Sequence, residues 1–204
     1  MSMTAEELYT IIKERYCAND LIICDLHKSC KSTRRCKNIL KHPLVDFDYI
    51  KDQYQIGKGV DTPSSVDGVT YTGNRFCFVE IKGWVDFLTH LKSIQKDKAI
   101  IKQAASYDLN KKLSNSLDIC KSLSGINDLS SVMPITFILV TDIETESNGL
   151  AMLHSNLLRL SNPVDYWQEV CNRELKARLG TIPGNIPTAY ITCREFDTKL
   201  AKLA

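Results

Sequence analysis

The sequence predicts an α/β fold in which helices flank a mixed central β-sheet. Ile135–Val140 is a continuous apolar run rich in β-branched residues, which is typical of a strand covered on both faces. Two shorter β-type runs flank Thr72-Gly73-Asn74, a turn signal that predicts a hairpin. Apolar residues at three-to-four spacing predict helices before, between and after these strands. This order of elements indicates a mixed α/β protein.

Length and composition are those of one globular domain spanning residues 1–204. The chain has 44% hydrophobic and 25% charged residues, and its net charge of +2 is too small to indicate a class of partner. No apolar run approaches the ~20 residues of a membrane-spanning helix. The segment Met1–Glu7 is acidic and lacks a signal-peptide pattern, so we expect a cytoplasmic protein without a membrane partner. Its eight cysteines are therefore expected to be reduced thiols.

The N-terminal part of the chain is predicted to contain one helix followed by irregular structure. Thr4–Tyr16 has the pattern of a helix, with Thr4 as its N-cap and Glu7 as the reciprocal capping-box partner. Residues 20–42 are irregular. Residues 43–65 contain two prolines and two glycines, which predicts a loop with one short strand near Tyr49–Ile56.

The elements after the hairpin are mostly helical. We expect a helical piece at Trp84–Gln95 and a longer helix at about Lys98–Leu123, with Gly125 as its C-cap glycine. The core of the fold then extends over about 4–142, and a C-terminal extension occupies about 146–204. The extension is predicted to consist of helices at about Asn148–Leu160 and Val164–Leu179, a loop at Pro183–Pro187, a strand at Thr188–Cys193 and a closing helix at Glu195–Leu203.

The second hairpin strand carries charge on a face that is otherwise apolar. Successive side chains of a strand point to opposite faces of the sheet. One face holds Phe76, Phe78, Glu80 and Lys82, and the other holds Cys77, Val79 and Ile81. Burying a charge costs several kcal/mol unless the charge is paired or bound to metal. Either this strand end is solvated, or Glu80 and Lys82 serve chemistry.

A metal site is one interpretation of these charges. If Asp67 begins the first strand, its carboxylate and that of Glu80 lie near one edge of the sheet. Two carboxylates, a backbone carbonyl such as that of Ile81, and waters suit Mg²⁺ or Mn²⁺. Lys82 beside them is placed to orient a water or to stabilise charge on a phosphate, as phosphodiester hydrolysis requires. The alternative is a surface pair of Glu80 and Lys82, with Asp67 as a turn residue.

This pattern resembles a known family of nucleases. An aspartate, a short hairpin and then Glu-x-Lys at the end of an apolar strand resemble the PD-(D/E)XK nuclease superfamily. The restriction-endonuclease-like core of that family has the order helix–strand–strand–strand–helix–strand, which the elements of Thr4–Val140 match. The resemblance implies that Asp67 and Glu80 are metal ligands and that Lys82 is the catalytic lysine. Val66 replaces the proline of the family's name.

A second motif is similar to one branch of that family. Gln103 and Tyr107 have the spacing of the Gln-x-x-x-Tyr motif of RecB-like nucleases, in which the pair borders the active site and approaches DNA. Positions four apart share a face of a helix, so both residues are expected to face the sheet edge. Gly83, directly after the lysine, also fits. The family often adds a helix-borne glutamate as a further ligand, and Glu7 and Glu14 are left open for that position.

A basic segment precedes the hairpin. Six cations lie between residues 28 and 41 with no acidic residue among them. Lysine and arginine supply most of the non-specific affinity for nucleic acids, so this segment is predicted to contact phosphates. The alternative is a solvated loop. The cations are Lys28, Lys31, Arg34, Arg35, Lys37 and Lys41.

A zinc site in the same region is not expected. Cys24, His27, Cys30 and Cys36 are ligand types for structural zinc, but they include no Cys-x-x-Cys pair. Buried or incidental thiols explain these cysteines better, because free cysteine behaves as a small hydrophobe. A zinc-stabilised interaction domain is therefore the weaker alternative.

Together these observations favour a Mg²⁺- or Mn²⁺-dependent nuclease. We expect it to act on DNA, with RNA left open, in a restriction, repair or mobile-element role. An inactive nuclease-like module that binds nucleic acid or protein is the alternative. A homodimer would allow both strands to be cut, and the sequence leaves the oligomeric state open. Glu174-Leu175-Lys176 has the same Glu-x-Lys spacing on a predicted helix, where we expect a solvated face.

Overall fold

In the described part of the chain, a mixed β-sheet of six strands forms the centre of the fold. The computed structural model describes residues 3–15, 22–25, 39–59, 63–91, 96–145 and 163–204. The strands follow one another across the sheet in chain order. The first four are antiparallel, and the last three, from the fourth onward, are parallel. They are β1 (Ile22–Asp25), β2 (Ile39–Asp46), β3 (Gly68–Thr72), β4 (Arg75–Lys82), β5 (Ile135–Thr141) and β6 (Thr188–Thr192).

Helices flank this sheet, as the sequence predicts for an α/β protein. A short 3₁₀ turn at Leu129–Ser131 precedes β5. Among the described residues, no helix is long and apolar enough to cross a bilayer. The helices are α1 (Ala5–Arg15), α2 (Phe47–Lys58), α3 (Val85–His90), α4 (Lys96–Ala105), α5 (Leu109–Ser124), α6 (Pro163–Leu179) and α7 (Phe196–Ala201).

The predicted hairpin and its two faces are confirmed. β3 and β4 join through Gly73, which has a φ of 54°, a left-handed conformation that glycine adopts without strain. Phe76 and Phe78 lie in the larger hydrophobic core, to which α1, α2, α4, α5 and α6 contribute. The opposite face of β4 lies in a smaller core that includes residues of α7. Every residue of β5 is buried, as its apolar sequence predicts.

The strand predicted near Tyr49–Ile56 is wrong, because this segment is helix α2. The Asp46 carboxylate accepts a hydrogen bond from the Tyr49 N–H at 3.1 Å and so caps the helix. Gly59 ends it with a φ of 64°. The irregular structure predicted over residues 20–42 and the loop predicted from residue 43 are also wrong in part, since Ile22–Asp25 form β1 and Ile39–Asp46 form β2.

The single long helix expected at Lys98–Leu123 is two helices, α4 and α5. The chain leaves α4 after Ala105, and Asp108 begins α5 by accepting the Lys111 N–H at 3.0 Å. An aspartate that caps a new helix competes with continuation of the old one. The C-cap at Gly125 is confirmed, with a φ of 73°.

The ends of the chain agree with their predicted elements where they are described. Thr4 and Glu7 form the capping box, with the Thr4 N–H donating to Glu7 Oε2 at 2.7 Å. The strand and helix expected near the C-terminus correspond to β6 and α7, and the helix before them to α6. The helix expected at about Asn148–Leu160 lies outside the described residues. Four cysteines in the described part of the chain are buried thiols that form no disulfide: Cys77, Cys120, Cys171 and Cys193.

Candidate metal and phosphate site

Asp67 lies immediately before β3 and turns its carboxylate toward the end of β4. Its Oδ2 accepts a hydrogen bond from the Ile81 N–H at 2.6 Å. Its backbone carbonyl accepts the Phe47 N–H at 3.1 Å, which ties the residue to the start of α2. Asp67 is therefore held at the point where the β3–β4 ladder ends, and it is not a free turn residue.

Glu80 and Lys82 lie on the face of β4 that also carries Phe76 and Phe78. The glutamate side chain is 0% exposed and that of Lys82 is 17% exposed. A carboxylate buried beside a phenylalanine-rich core needs a strong partner, because the charge has lost its hydration. The strand end is thus not solvated at Glu80, so Glu80 and Lys82 are not an exposed surface pair.

The three residues converge, as the sequence predicts. Lys82 Nζ forms an ion pair with Glu80 Oε1 and lies 3.8 Å from Asp67 Oδ2. Strand alternation places Glu80 and Lys82 on one face, and the hairpin returns β3 so that Asp67 meets them. Two carboxylates and one ammonium group are thereby brought to the same end of the sheet.

A second lysine, Lys112 of α5, joins this cluster and was not expected. Its Nζ lies 2.6 Å from Glu80 Oε1 and 4.0 Å from Asp67 Oδ1. In the sequence Lys112 stands beside the buried stripe of α5, three residues after Leu109. Lysines commonly flank such stripes and extend to solvent, so this position carries no local signal of a site.

The charges of the cluster perturb one another. Burial raises the pKa of Glu80, and the neighbouring charge of Asp67 adds to this, while Lys82 and Lys112 oppose it. Burial alone would lower the pKa of Lys82, but Glu80 and Asp67 outweigh it and raise that pKa above the ordinary lysine value. Lys82 is therefore held as an ammonium group next to the two carboxylates.

The residues present fit a divalent metal ion. Glu80 Oε2 is buried and has no hydrogen-bond partner among the described residues, so one carboxylate oxygen remains for a ligand. Ile81 donates its N–H toward Asp67, and the N–H and C=O of one strand residue point to the same edge of the strand. The Ile81 carbonyl is thus on the side of Asp67. A few hard oxygen ligands completed by water suit Mg²⁺.

The remaining acidic residues do not extend this ligand set. No group of three metal-binding side chains occurs in the part of the chain that the structure describes, so neither Glu7 nor Glu14 joins Asp67 and Glu80. Glu7 is occupied by the capping box and Glu14 is exposed. Asp46 lies close enough for the charge of Asp67 to contribute to its raised pKa, for which burial is the main cause. It serves as the cap of α2.

Gln103 and Tyr107 border the cluster, although they do not share one helix. Gln103 Nε2 donates to the Tyr107 hydroxyl at 3.1 Å. Lys82 Nζ lies 5.1 Å from the centre of the Tyr107 ring, on which the Trp84 ring packs edge-on. Tyr107 follows the end of α4, so the expected helical spacing is wrong in detail, but the two side chains still meet beside Lys82.

Several predicted residues lie outside the part of the chain that can be assessed. Residues 26–38 are not described, and no side chain of β1 is. The phosphate-binding and zinc hypotheses therefore stay predictions. They concern the cations Lys28, Lys31, Arg34, Arg35 and Lys37 and the zinc-type ligands Cys24, His27, Cys30 and Cys36.

Comparisons of the chain with protein-family models, curated proteins and solved structures find no match. The interpretation of the site therefore depends on its own geometry.

Proposed function

We propose that this protein is a metal-dependent nuclease that hydrolyses phosphodiester bonds of DNA. The observation that carries the proposal is the convergence of Asp67, Glu80 and Lys82, in which Glu80 Oε1 pairs with the lysine and the buried Glu80 Oε2 has no hydrogen-bond partner among the described residues. Ionisable groups with perturbed pKa values and close charge partners are a common signature of a catalytic site.

The order of the elements supports the same proposal. In the described residues α1, β2, β3, β4, α5 and β5 follow the helix–strand–strand–strand–helix–strand order of the PD-(D/E)XK core. The antiparallel pairing of β2, β3 and β4 and the parallel pairing of β4 with β5 give the mixed sheet that such a core requires. Helix α2 is an insertion between the first two of these strands, and α3 and α4 lie between β4 and α5. Strands β1 and β6 extend the sheet at its two edges.

Each residue of the site has a distinct part in the proposed reaction. Asp67 and Glu80 would hold the metal ion together with the Ile81 carbonyl. When bound, Mg²⁺ or Mn²⁺ supplies Lewis-acid stabilisation of the phosphoryl oxygen and a lowered pKa of water. Lys82, kept protonated by its carboxylate neighbours, stabilises negative charge that develops on the phosphate. The Tyr107 ring lies against the Lys82 ammonium group and limits the positions that it can take. Gln103 positions this ring by donating a hydrogen bond to the Tyr107 hydroxyl.

DNA is proposed as the substrate, with RNA as the other polymer that carries the same bond. Both present phosphates to a cationic site, and the basic segment of residues 28–41 would add affinity for either. A restriction, repair or mobile-element role would suit such a chain, and a homodimer would bring two sites to the two strands.

An inactive nuclease-like module that binds nucleic acid or protein is the second candidate. One observation favours it: Lys82 and Lys112 both contact Glu80, so the two carboxylates already face two ammonium groups. A site neutralised in this way is stable without metal. The module would then use its lysines to bind phosphates and would cleave nothing.

A cleavage assay separates the two candidates. Supercoiled plasmid and single-stranded DNA are incubated with Mg²⁺ or Mn²⁺ and with the wild type, Lys82→Ala or Lys176→Ala. Lys176 is the matched control, because it ends the second Glu-x-Lys of the chain and is exposed on α6. We expect cleavage by the wild type and by Lys176→Ala, but not by Lys82→Ala. If the wild type cleaves no better than Lys82→Ala, the proposal that this protein is a nuclease is wrong.

A further inference from the structure

We propose that Lys112 is a built-in counter-cation of the site: its ammonium group at Glu80 Oε1 opposes the binding of a divalent cation to Asp67 and Glu80, and binding is favoured when the Lys112 side chain moves to solvent. This inference depends on the proposed function, because it takes Asp67 and Glu80 as the metal ligands. It adds a residue whose charge opposes metal binding.

The contacts of Lys112 support this role. Its Nζ lies 2.6 Å from Glu80 Oε1 and 4.0 Å from Asp67 Oδ1, so the ammonium group bridges the two carboxylates. Lys82 contacts the same Glu80 oxygen. A metal ion that takes both carboxylates therefore meets Lys112 between them, and the like charges repel one another at short range.

Lys82 is the less suitable of the two lysines to leave. It lies on the same strand as Glu80, two residues along, and the Tyr107 ring holds its ammonium group from another side. Lys112 extends from the first turn of α5, next to the exposed Lys111, and its side chain is 21% exposed. Rotation of its flexible four-carbon stem carries the charge to solvent without moving the strand.

The position of Lys112 is set by contacts that also hold the segment before Asp67. Ser116 Oγ donates to the Lys112 carbonyl at 2.8 Å and accepts the Val66 N–H at 3.1 Å. Asn115 Nδ2 donates to the Ser64 carbonyl at 3.0 Å. Helix α5 is thus hydrogen-bonded to Ser64 and Val66, in the segment that leads into Asp67. These hydrogen bonds fix the backbone of Lys112 next to Asp67, which distinguishes it from an incidental surface lysine.

Calorimetric titration of the full chain with Mn²⁺ in the absence of DNA tests the inference. We expect Lys112→Met, which keeps the length of the side chain but not its charge, to bind Mn²⁺ on the order of tenfold more tightly than the wild type. Lys111→Met is the matched control, because it removes the same charge from the adjacent exposed position. Its Mn²⁺ affinity is expected to stay within about twofold of the wild type, since the exposed charge is screened.

Two further substitutions of Lys112 keep the test valid if Lys112→Met fails to fold. Lys112→Gln removes the charge but keeps a donor for Glu80, and it is also expected to bind Mn²⁺ more tightly. Lys112→Arg keeps the charge and should bind as weakly as the wild type. Thermal unfolding provides a readout independent of activity. Mn²⁺ should raise the midpoint of Lys112→Gln more than that of the wild type, because tighter binding to the folded state adds stability.

The outcomes distinguish this inference from the proposed function. If the wild type binds Mn²⁺ through Glu80 but neither neutral variant binds it more tightly, Lys112 is only a structural partner and the inference is wrong, while the nuclease proposal stands. If neither the wild type nor any Lys112 variant binds a divalent cation, the metal site and the inference fail together.

Discussion

Two segments of this chain carry the same Glu-x-Lys spacing, but one lies on a buried strand and the other on the surface of a helix. In β4, Glu80 is fully buried and Lys82 meets it on the same face of the sheet. In α6, Leu175 is the buried residue, while Lys176 is exposed and Glu174 pairs with its neighbour Arg173 at 3.2 Å.

The difference follows from the period of each element. Residues two apart lie on the same face of a strand but about 200° apart around a helix. Only the strand therefore brings the carboxylate and the ammonium group together, and only there does Asp67 supply a second carboxylate. A short motif has chemical meaning only through the element that carries it. The variants below compare the two segments, beginning with the largest expected effect.

Removing a carboxylate from the strand site should abolish cleavage. Asp67→Asn keeps the shape of the side chain and an acceptor for the Ile81 N–H but loses the charge that is proposed to hold a metal ion. We expect the cleavage rate to fall on the order of 10³-fold, or about 4 kcal/mol of transition-state stabilisation. Glu174→Gln, the matched change in α6, should cleave like the wild type. Comparable losses in both variants would contradict the assignment of the site to β4.

Removing both lysines from Glu80 should destabilise the fold. The double variant Lys82→Met/Lys112→Met leaves a buried carboxylate without a cation, which costs about 3–5 kcal/mol of unfolding free energy. Lys176→Met, at an exposed position of α6, should change that free energy by less than about 0.5 kcal/mol. Urea unfolding followed by circular dichroism measures both, and a double variant as stable as the wild type would show that Glu80 does not depend on these cations.

Divalent metal should stabilise the strand site and leave the helix segment unaffected. At a concentration about 100 times its dissociation constant, Mg²⁺ is expected to add about 2.7 kcal/mol to the unfolding free energy of the wild type. Glu80→Gln should lose this gain, whereas Glu174→Gln should retain it. Thermal unfolding with Mg²⁺ and after chelation provides the measurement. A gain that survives in Glu80→Gln would place the metal ion elsewhere.

A smaller effect is expected at Tyr107. Tyr107→Phe keeps the ring beside Lys82 but loses the hydrogen bond from Gln103, which is worth about 1 kcal/mol. We expect cleavage to slow several-fold. Tyr190→Phe is the control, because it also removes one tyrosine hydroxyl contact, to Asn172 at 2.6 Å, and lies on β6. Should Tyr190→Phe slow cleavage as much, the effect would be one of general packing.

Part of the fold and the site could be read from local sequence. The hairpin, the buried strand β5, the capping box at Thr4 and the two faces of β4 each depend on residues close together in the chain. These patterns are strong because backbone geometry converts sequence spacing directly into a shared face or a cap. The pairing of Glu80 with Lys82 belongs to this group.

Other features were missed because several local signals competed. Prolines and glycines around residues 43–65 predicted a loop, yet Phe47, Ile50 and Tyr54 have the three-to-four spacing of α2 and pack in the larger core. Apolar residues at helical spacing continue from α4 into α5 and predicted one helix, although Asp108 begins a new helix there. Burial against the sheet decided the first case, and a side-chain cap decided the second.

The sequence by itself determined which residues can form the strand site, since Glu80 and Lys82 share a face in any strand of this register. Only the tertiary structure decided that Lys112 joins them, at 2.6 Å from Glu80. Lys112 is 32 residues from Glu80 in the chain. It reaches the site because α5 is hydrogen-bonded to the segment before Asp67. A contact of that kind depends on how a helix packs across a sheet, and no local periodicity encodes it.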